Sequence, residues 1–323
     1  MVTTEEPTGG SRRVLILALV ALVGTVVVVL SGDVVQATAS GAGCGESWPR
    51  CDGALLPGLE DSSTAIEFAH RMLTFVLSAM MIALLLAVRS RTSRGHHLRR
   101  VALWAGMFFA LEVVIGAMLV VFGWVEDDAS IGRVVADALH VVNTFFLVGA
   151  LALVVFYAMG GKPLPPGLPL RGDGRMLSGA VLLIAIAVTG AVNSLADTLF
   201  PAGSVLEAVR DELGGVAPFL LQVRAVHPIV AISGGLALYG VVRAVSGRYA
   251  DQDPTVRIVY LLIGAQFVAG FLNIALLTPL EVQVIHLLLA QALWISFLFF
   301  AFRMAGAPDP RASASIEAVG SLS

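Results

Sequence analysis

Charge is scarce in this chain: Asp, Glu, Lys and Arg make up only 13% of its 323 residues, about half the share of a soluble domain. Hydrophobic residues reach 57%, and the mean hydropathy is +0.88. These values exclude a water-soluble fold and predict an integral membrane protein. Cysteine is sparse too, with only Cys44 and Cys51. There is no His-x-x-x-His or His-Glu-x-x-His pair, so the close-spaced ligand sets usual for zinc are missing. No basic run is interleaved with aromatic residues, which argues against nucleic acid as a partner. No A-x-A-like cleavage site directly follows the apolar run at 14–30 behind Arg12 and Arg13. That run therefore reads as a transmembrane helix, not as a cleaved signal.

What the chain has is long apolar runs. Windows of about 20 residues, the length that crosses about 30 Å of hydrocarbon, occur eight times. They lie near 13–32, 64–88, 100–122, 132–158, 175–194, 217–243, 255–276 and 280–303. The predicted fold is all-α, with eight transmembrane helices in a lipid bilayer. Segments 1–12 and 304–323, rich in Gly, Ser, Pro and Ala, read as disordered tails.

The net charge of −3 means little by itself, but the placement of the charges is informative. Arg89, Arg91, Arg94, Arg99 and Arg100 follow the second span without an acid. Lys162, Arg171 and Arg175 follow the fourth, and Arg248 with flanking Arg243 and Arg257 follows the sixth. The loops after the first, third and fifth spans are acidic, carrying Asp52, Glu60 and Asp61; Glu126, Asp127 and Asp128; and Glu207, Asp211 and Glu212. The positive-inside rule then places both termini in the cytoplasm.

Ionisable side chains inside membrane spans are costly and mark functional sites by default. His70, His140, His227 and His286 each lie in an even-numbered span, roughly 9–15 Å below the outer surface at 1.5 Å per residue. One such histidine would read as an interhelical hydrogen bonder; four at matched depth read as axial ligands to haem iron. His96 and His97, in the arginine-rich loop, read as solvated surface.

The chain also repeats weakly. Glu67-Phe-Ala-His70 aligns with Arg224-Ala-Val-His227, and the run at 111–116 ending in Gly116 aligns with the run at 265–270 ending in Gly270. Two tandem four-helix bundles are predicted, at 13–160 and 175–303, joined by a linker at 161–174. The expected ligand pairs are His70 with His140 and His227 with His286. Gly116, Gly190, Gly234, Gly235 and Gly270 would admit a flat macrocycle, or simply a close helix.

Glu67 stands one turn before His70 on the same face, suited to moving protons near an iron site or to snorkelling toward the interface. Glu112 is a second intramembrane acid. Arg224, equivalent to Glu67, is suited to pairing with a haem propionate. Cys44 and Cys51 can close a small ring contributing about 2.5 kcal/mol by loop entropy. Spacing leaves open whether that ring is a redox pair for an external thiol–disulfide protein or a loop staple.

Together these features resemble the haem A synthase family, over about residues 13–303. The resemblance rests on GCGESWPRCDG at 43–53, EFAHR at 67–71, and QFVAGFLN at 266–273 continuing through Pro279 to HLLLA at 286–290. It implies a haem b held by His227 and His286 in the C-terminal half, and substrate haem O at His70, His140 and Glu67 in the N-terminal half. It also implies oxidation of a ring methyl of haem O to a formyl group by two hydroxylations, in assembly of cytochrome c oxidase. A haem O synthase is the implied partner, and a homo-oligomer is compatible with it. The chain departs from the family in Glu112, where glutamine is expected by analogy with Gln266. It departs also in the acidic loop at 123–132 and in having no cysteine at 197–218. Two rival readings share the histidines: a di-haem quinol-oxidising electron carrier, and a non-enzymatic haem carrier.

Overall fold

The computed structural model describes residues 9–162, 174–213, 219–249 and 254–305. Among these, the chain is all-helical apart from one isolated bridge between Cys51 and Ala54. The helices are α1 (Gly9–Ala37), α2 (Ser62–Arg91), α3 (His97–Val121), α4 (Ile131–Ala158) and α5 (Arg175–Leu199). There follow α6 (Val205–Leu213), α7 (Phe219–Arg224), α8 (Val226–Tyr249), α9 (Pro254–Ala275) and α10 (Leu280–Ala305). Eight segments are long and apolar enough to cross a membrane: α1 to α5, α7 with α8 as one span, α9 and α10. Helices α1 and α10 take in residues 9–12 and 304–305 of the predicted tails. The rest of both tails, and 163–173 of the predicted linker, lie outside the described residues.

Local chemistry explains where the helices start and stop. Asp61 caps α2 by accepting from the Thr64 N–H at 2.9 Å, and Ser130 caps α4 by accepting from the Arg133 N–H at 3.2 Å. The sixth span is broken at Ala225, where the hydropathy pattern predicts an unbroken helix. Pro228 is the cause: it has no N–H to offer the Arg224 carbonyl, and its ring would crowd that oxygen. The chain turns at Ala225, and α8 restarts with Pro228 in its first turn, where proline is tolerated. The amphipathic α6 has no counterpart among the apolar windows, because nine residues are too few for a span.

The packing suits lipid. Large side chains such as Val23, Phe75, Leu86, Leu236, Leu261 and Phe271 are exposed, where hydrocarbon would cover them. Helix α4 sits innermost, against α1, α3, α5 and α10, with Leu147, Val148, Leu151 and Val154 fully buried. Ala18 and Ala21 on α1, and Ala102 and Ala105 on α3, are buried small residues of the kind that let backbones approach in membranes. The two pseudo-symmetric halves share one apolar core. The Trp294 indole N–H donates to the Phe145 carbonyl across them at 3.0 Å. Gln36 and Ser194, four residues past Gly32 and Gly190 on the equivalent helices α1 and α5, hydrogen-bond to each other at 3.3 Å.

Candidate functional site

The closest helix partners are α1 with α2, α3 with α4, α5 with α8, and α9 with α10. In every pair the second helix carries one of the four histidines and the first presents a glycine to its ring. A methyl group added to Gly190 would lie 3.1 Å from His227 Cε1. One on Gly32 would lie 3.3 Å from His70 Cε1, one on Gly270 3.3 Å from His286 Cε1, and one on Gly116 3.8 Å from His140 Cε1. Glycine therefore makes room for three of the imidazoles, while at Gly116 a methyl would sit at ordinary van der Waals distance from the fourth. All four rings are half-buried. His70 lies within electrostatic range of His140, and His227 within range of His286.

Hydrogen bonds set the tautomer of two of these rings. The Ser31 hydroxyl donates to the Val28 carbonyl at 2.8 Å and lies 2.7 Å from His70 Nδ1. Its single proton is spent, so Nδ1–H must be the donor to Ser31. Thr189 repeats this arrangement: its hydroxyl donates to the Ile186 carbonyl at 2.9 Å and lies 3.2 Å from His227 Nδ1. A proton on Nδ1 leaves the Nε2 lone pair free, which is the form of histidine that ligates iron. Both residues precede the glycine that cradles the same ring. The sequence reading passes over both; a Ser/Thr-Gly pair at matching depth on the first and fifth spans is the signal that marks them.

The other two histidines differ. Nδ1 of His140 and Nδ1 of His286 are buried and have no hydrogen-bond partner among the described residues. Glu112 Oε2 on α3 lies 3.8 Å from His140 Nδ1. The Glu112 carboxylate is held by Asn143 Nδ2 and by the hydroxyl of Thr144, both on α4. At the equivalent place in the second half, Gln266 Nε2 donates to the His286 backbone carbonyl at 3.0 Å. Two pairs of half-buried imidazoles, flanked by glycines, fit the two faces of a haem. Among the described residues, no group of three or more His, Cys, Asp or Glu side chains is placed to hold a bare metal ion.

Glu67 and Arg224 sit at the mouths of these sites, and both have partners. Glu67 is buried and accepts the Cys44 backbone N–H at 2.7 Å and Arg71 Nε–H at 3.0 Å. Arg71 in turn donates to the carbonyls of Ser47 and Arg50 at 2.8 and 2.6 Å. Arg133 does the same for the next loop, donating to the carbonyls of Glu126 and Asp128 at 2.6 and 3.0 Å, with Asp137 Oδ2 at 3.7 Å. Arg224 donates to the carbonyls of Phe200 and Ala208 at 3.2 and 3.3 Å and lies 3.5 Å from Asp197 Oδ1. Three arginines, each beside an acid, Arg133 and Arg224 buried and Arg71 half-buried, thus pin the three loops on one face of the bundle. Arg71 enters the sequence reading only as part of the EFAHR run and Arg133 not at all, because a charge near a helix end reads by default as a surface charge. In the first loop, Cys44 and Cys51 are joined by a disulfide, and both residues are buried. Burial shields the bond from an attacking thiolate and favours the staple over the exchanging pair. His96 accepts the Leu98 N–H at 3.2 Å and caps α3.

Comparison with known proteins agrees with this geometry. Residues 15–298 match the family described as Cytochrome oxidase assembly protein, COX15-CtaA. A Heme A synthase of Geobacillus thermodenitrificans is 30% identical over 284 residues, 84% of either chain. One from Halalkalibacterium halodurans is 31% identical over 183 residues, 56% of this chain and 59% of that one. A Protoheme IX farnesyltransferase of Thermus thermophilus is 40% identical over 289 residues, 87% of this chain. The chain spans less than half of that relative, 46% of its length. Eight apolar spans, four histidines inside them and these relatives together show that the chain belongs to the COX15-CtaA family of cytochrome oxidase assembly proteins, the family of the haem A synthases.

Proposed function

We propose that this chain oxidises a ring methyl of haem O to a formyl group, holding a resident haem b between His227 and His286 and the substrate haem between His70 and His140. The observation that carries the reading is the pair of hydroxyl locks. Ser31 and Thr189 each fix Nδ1–H on one histidine of each pair and so point a free Nε2 lone pair toward a ligand site. When bound, haem b supplies one-electron transfer. Two successive hydroxylations of one methyl carbon, the second giving a geminal diol that loses water, account for the formyl product. Each is a two-electron oxidation that draws its oxygen atom and its electron acceptor from outside this chain.

The chain's own residues then divide the work. His70 and His140 orient the substrate. Glu67, one helical turn from His70 and buried, is suited to holding or moving a proton at the reacting edge. The stapled loop that Glu67 and Arg71 tie down excludes water from that edge. Arg224 ties down the loop of the C-terminal half through Phe200, Ala208 and Asp197, and its planar guanidinium would be suited to a haem propionate. The positive-inside pattern puts these loops outside and the termini in the cytoplasm. Farnesyl transfer to protohaem is the reaction that supplies haem O. The Thermus relatives, named for that transfer, carry a region like this chain in under half their length, which supports a haem O synthase as the partner.

Co-expression with a protohaem farnesyltransferase, followed by extraction and mass spectrometry of haems, tests the reaction. Haem A or its hydroxymethyl precursor is expected with the native chain and not with His70→Ala. Haems B and O alone would leave the electron-carrier reading standing instead.

A further inference from the structure

The geometry points to Glu112 as a positioning residue that makes His140 the most electron-rich of the four histidines, so that the N-terminal haem is held in its ferric state more strongly than the C-terminal haem. The inference rests on the proposed haem ligation by His140. Nδ1 of His140 is buried without a hydrogen-bond partner among the described residues, and Glu112 Oε2 is the nearest carboxylate oxygen, at 3.8 Å. With Nε2 on iron, the proton of a neutral imidazole must sit on Nδ1, facing that carboxylate. An anion behind a ligating histidine raises its basicity and thereby stabilises the higher charge on the metal.

The other three rings lack this arrangement among the described residues. His70 and His227 are backed by the neutral hydroxyls of Ser31 and Thr189, and His286 Nδ1 by no partner. The pseudo-symmetric counterpart of Glu112 is Gln266, whose amide turns to the His286 backbone carbonyl. Glu112 is also held in place. Asn143 and Thr144, one turn past His140 on the same helix, each hydrogen-bond it; Asn143 bonds the Phe108 carbonyl at 2.8 Å as well, and the Thr144 hydroxyl shares its proton with the His140 carbonyl at 3.0 Å. A carboxylate clamped from the ligand's own helix cannot swing away from the ring without breaking both bonds. The sequence departure at Glu112 thus falls on the one histidine that no hydroxyl locks in the N-terminal half.

The test is a redox titration of the full-length protein loaded with haem b and haem O, followed optically, with His286→Ala isolating the N-terminal site and His140→Ala the C-terminal one. Glu112→Gln is expected to shift the oxidation equilibrium of the N-terminal haem toward the ferrous form about tenfold, a rise of about 59 mV for one electron. The C-terminal haem should not move. Gln266→Glu should move the C-terminal haem the opposite way, and it serves as the test if Glu112→Gln fails to fold. An unchanged N-terminal potential in Glu112→Gln, equal shifts at both sites, or no lowering in Gln266→Glu overturns the inference. Absence of any haem at the N-terminal site in the His286→Ala protein would instead overturn the ligation reading on which it stands.

Discussion

The two halves of the molecule build the same cradle and furnish its rim differently. In each half a Ser/Thr-Gly pair on the first helix locks and accommodates the first histidine, and a glycine on the third helix lies against the second. Around that shared frame the polar residues diverge. The N-terminal half has EFAHR on an unbroken α2, where Glu67 and Arg71 pair across one turn. The C-terminal half has RAVHP, where Pro228 breaks the helix and Arg224 reaches for Asp197 instead. One turn before the second histidine stand Asp137 and Gln283, and behind it stand Glu112 and Gln266. Position for position, carboxylates in the first half face an arginine and amides in the second, but Arg71, Arg133 and Asp197 balance Glu67, Asp137 and Arg224. The difference in charge that is left falls on Glu112 against Gln266, behind the second histidine of each half. The fold is shared, and the chemistry is set at the rims.

That contrast can be broken most completely at the ligands. His286→Ala should abolish the low-spin b-type spectrum of the C-terminal site while the N-terminal site still takes up haem, as read by optical and electron paramagnetic resonance spectra. An unchanged spectrum would refute the pairing. Next in size, Glu67→Ala should reduce haem A formation by about 100-fold with the b-type spectrum retained. It should also destabilise the first loop by about 3 kcal/mol, because it leaves Arg71 half-buried without its acid. Limited proteolysis at 43–53 reads the loop, and intact product yield would return Glu67 to a purely structural role.

Smaller effects sharpen the comparison. Ser31→Ala and Thr189→Val each remove one Nδ1 acceptor and should weaken haem retention about 10- to 100-fold, in the first and the second site respectively. Loss from the wrong half would contradict the tautomer argument. The smallest effects are graded by space. Gly190→Ala, at 3.1 Å from His227, should disturb its site most, Gly32→Ala and Gly270→Ala at 3.3 Å less, and Gly116→Ala at 3.8 Å least. Haem occupancy of the four purified variants checks the order.

Much of this is legible in the sequence because the membrane enforces it. Eight apolar runs correspond to eight spans, and the four histidines stand out as polarity in the wrong solvent. The break at Ala225 is legible too, in Pro228, but hydropathy counts residues and ignores a missing N–H. What cannot be read is anything decided by helix rotation. Ser31 and Thr189 are small polar residues of the kind that often return their proton to their own helix. Only the packing of α1 on α2, and of α5 on α8, shows that their oxygens also receive a histidine proton. The arginine latches are hidden for a related reason, since their partners are loop carbonyls, which carry no side-chain signature.

The most direct test of unequal halves is the identity of the haem that each one keeps. His286→Ala and His140→Ala proteins would be purified from cells making both haem B and haem O, and the bound haems extracted and weighed by mass spectrometry. Haem O, or its oxidised products, in His286→Ala and haem B alone in His140→Ala is the expected result. The same haem in both would contradict a substrate site in one half and a cofactor site in the other.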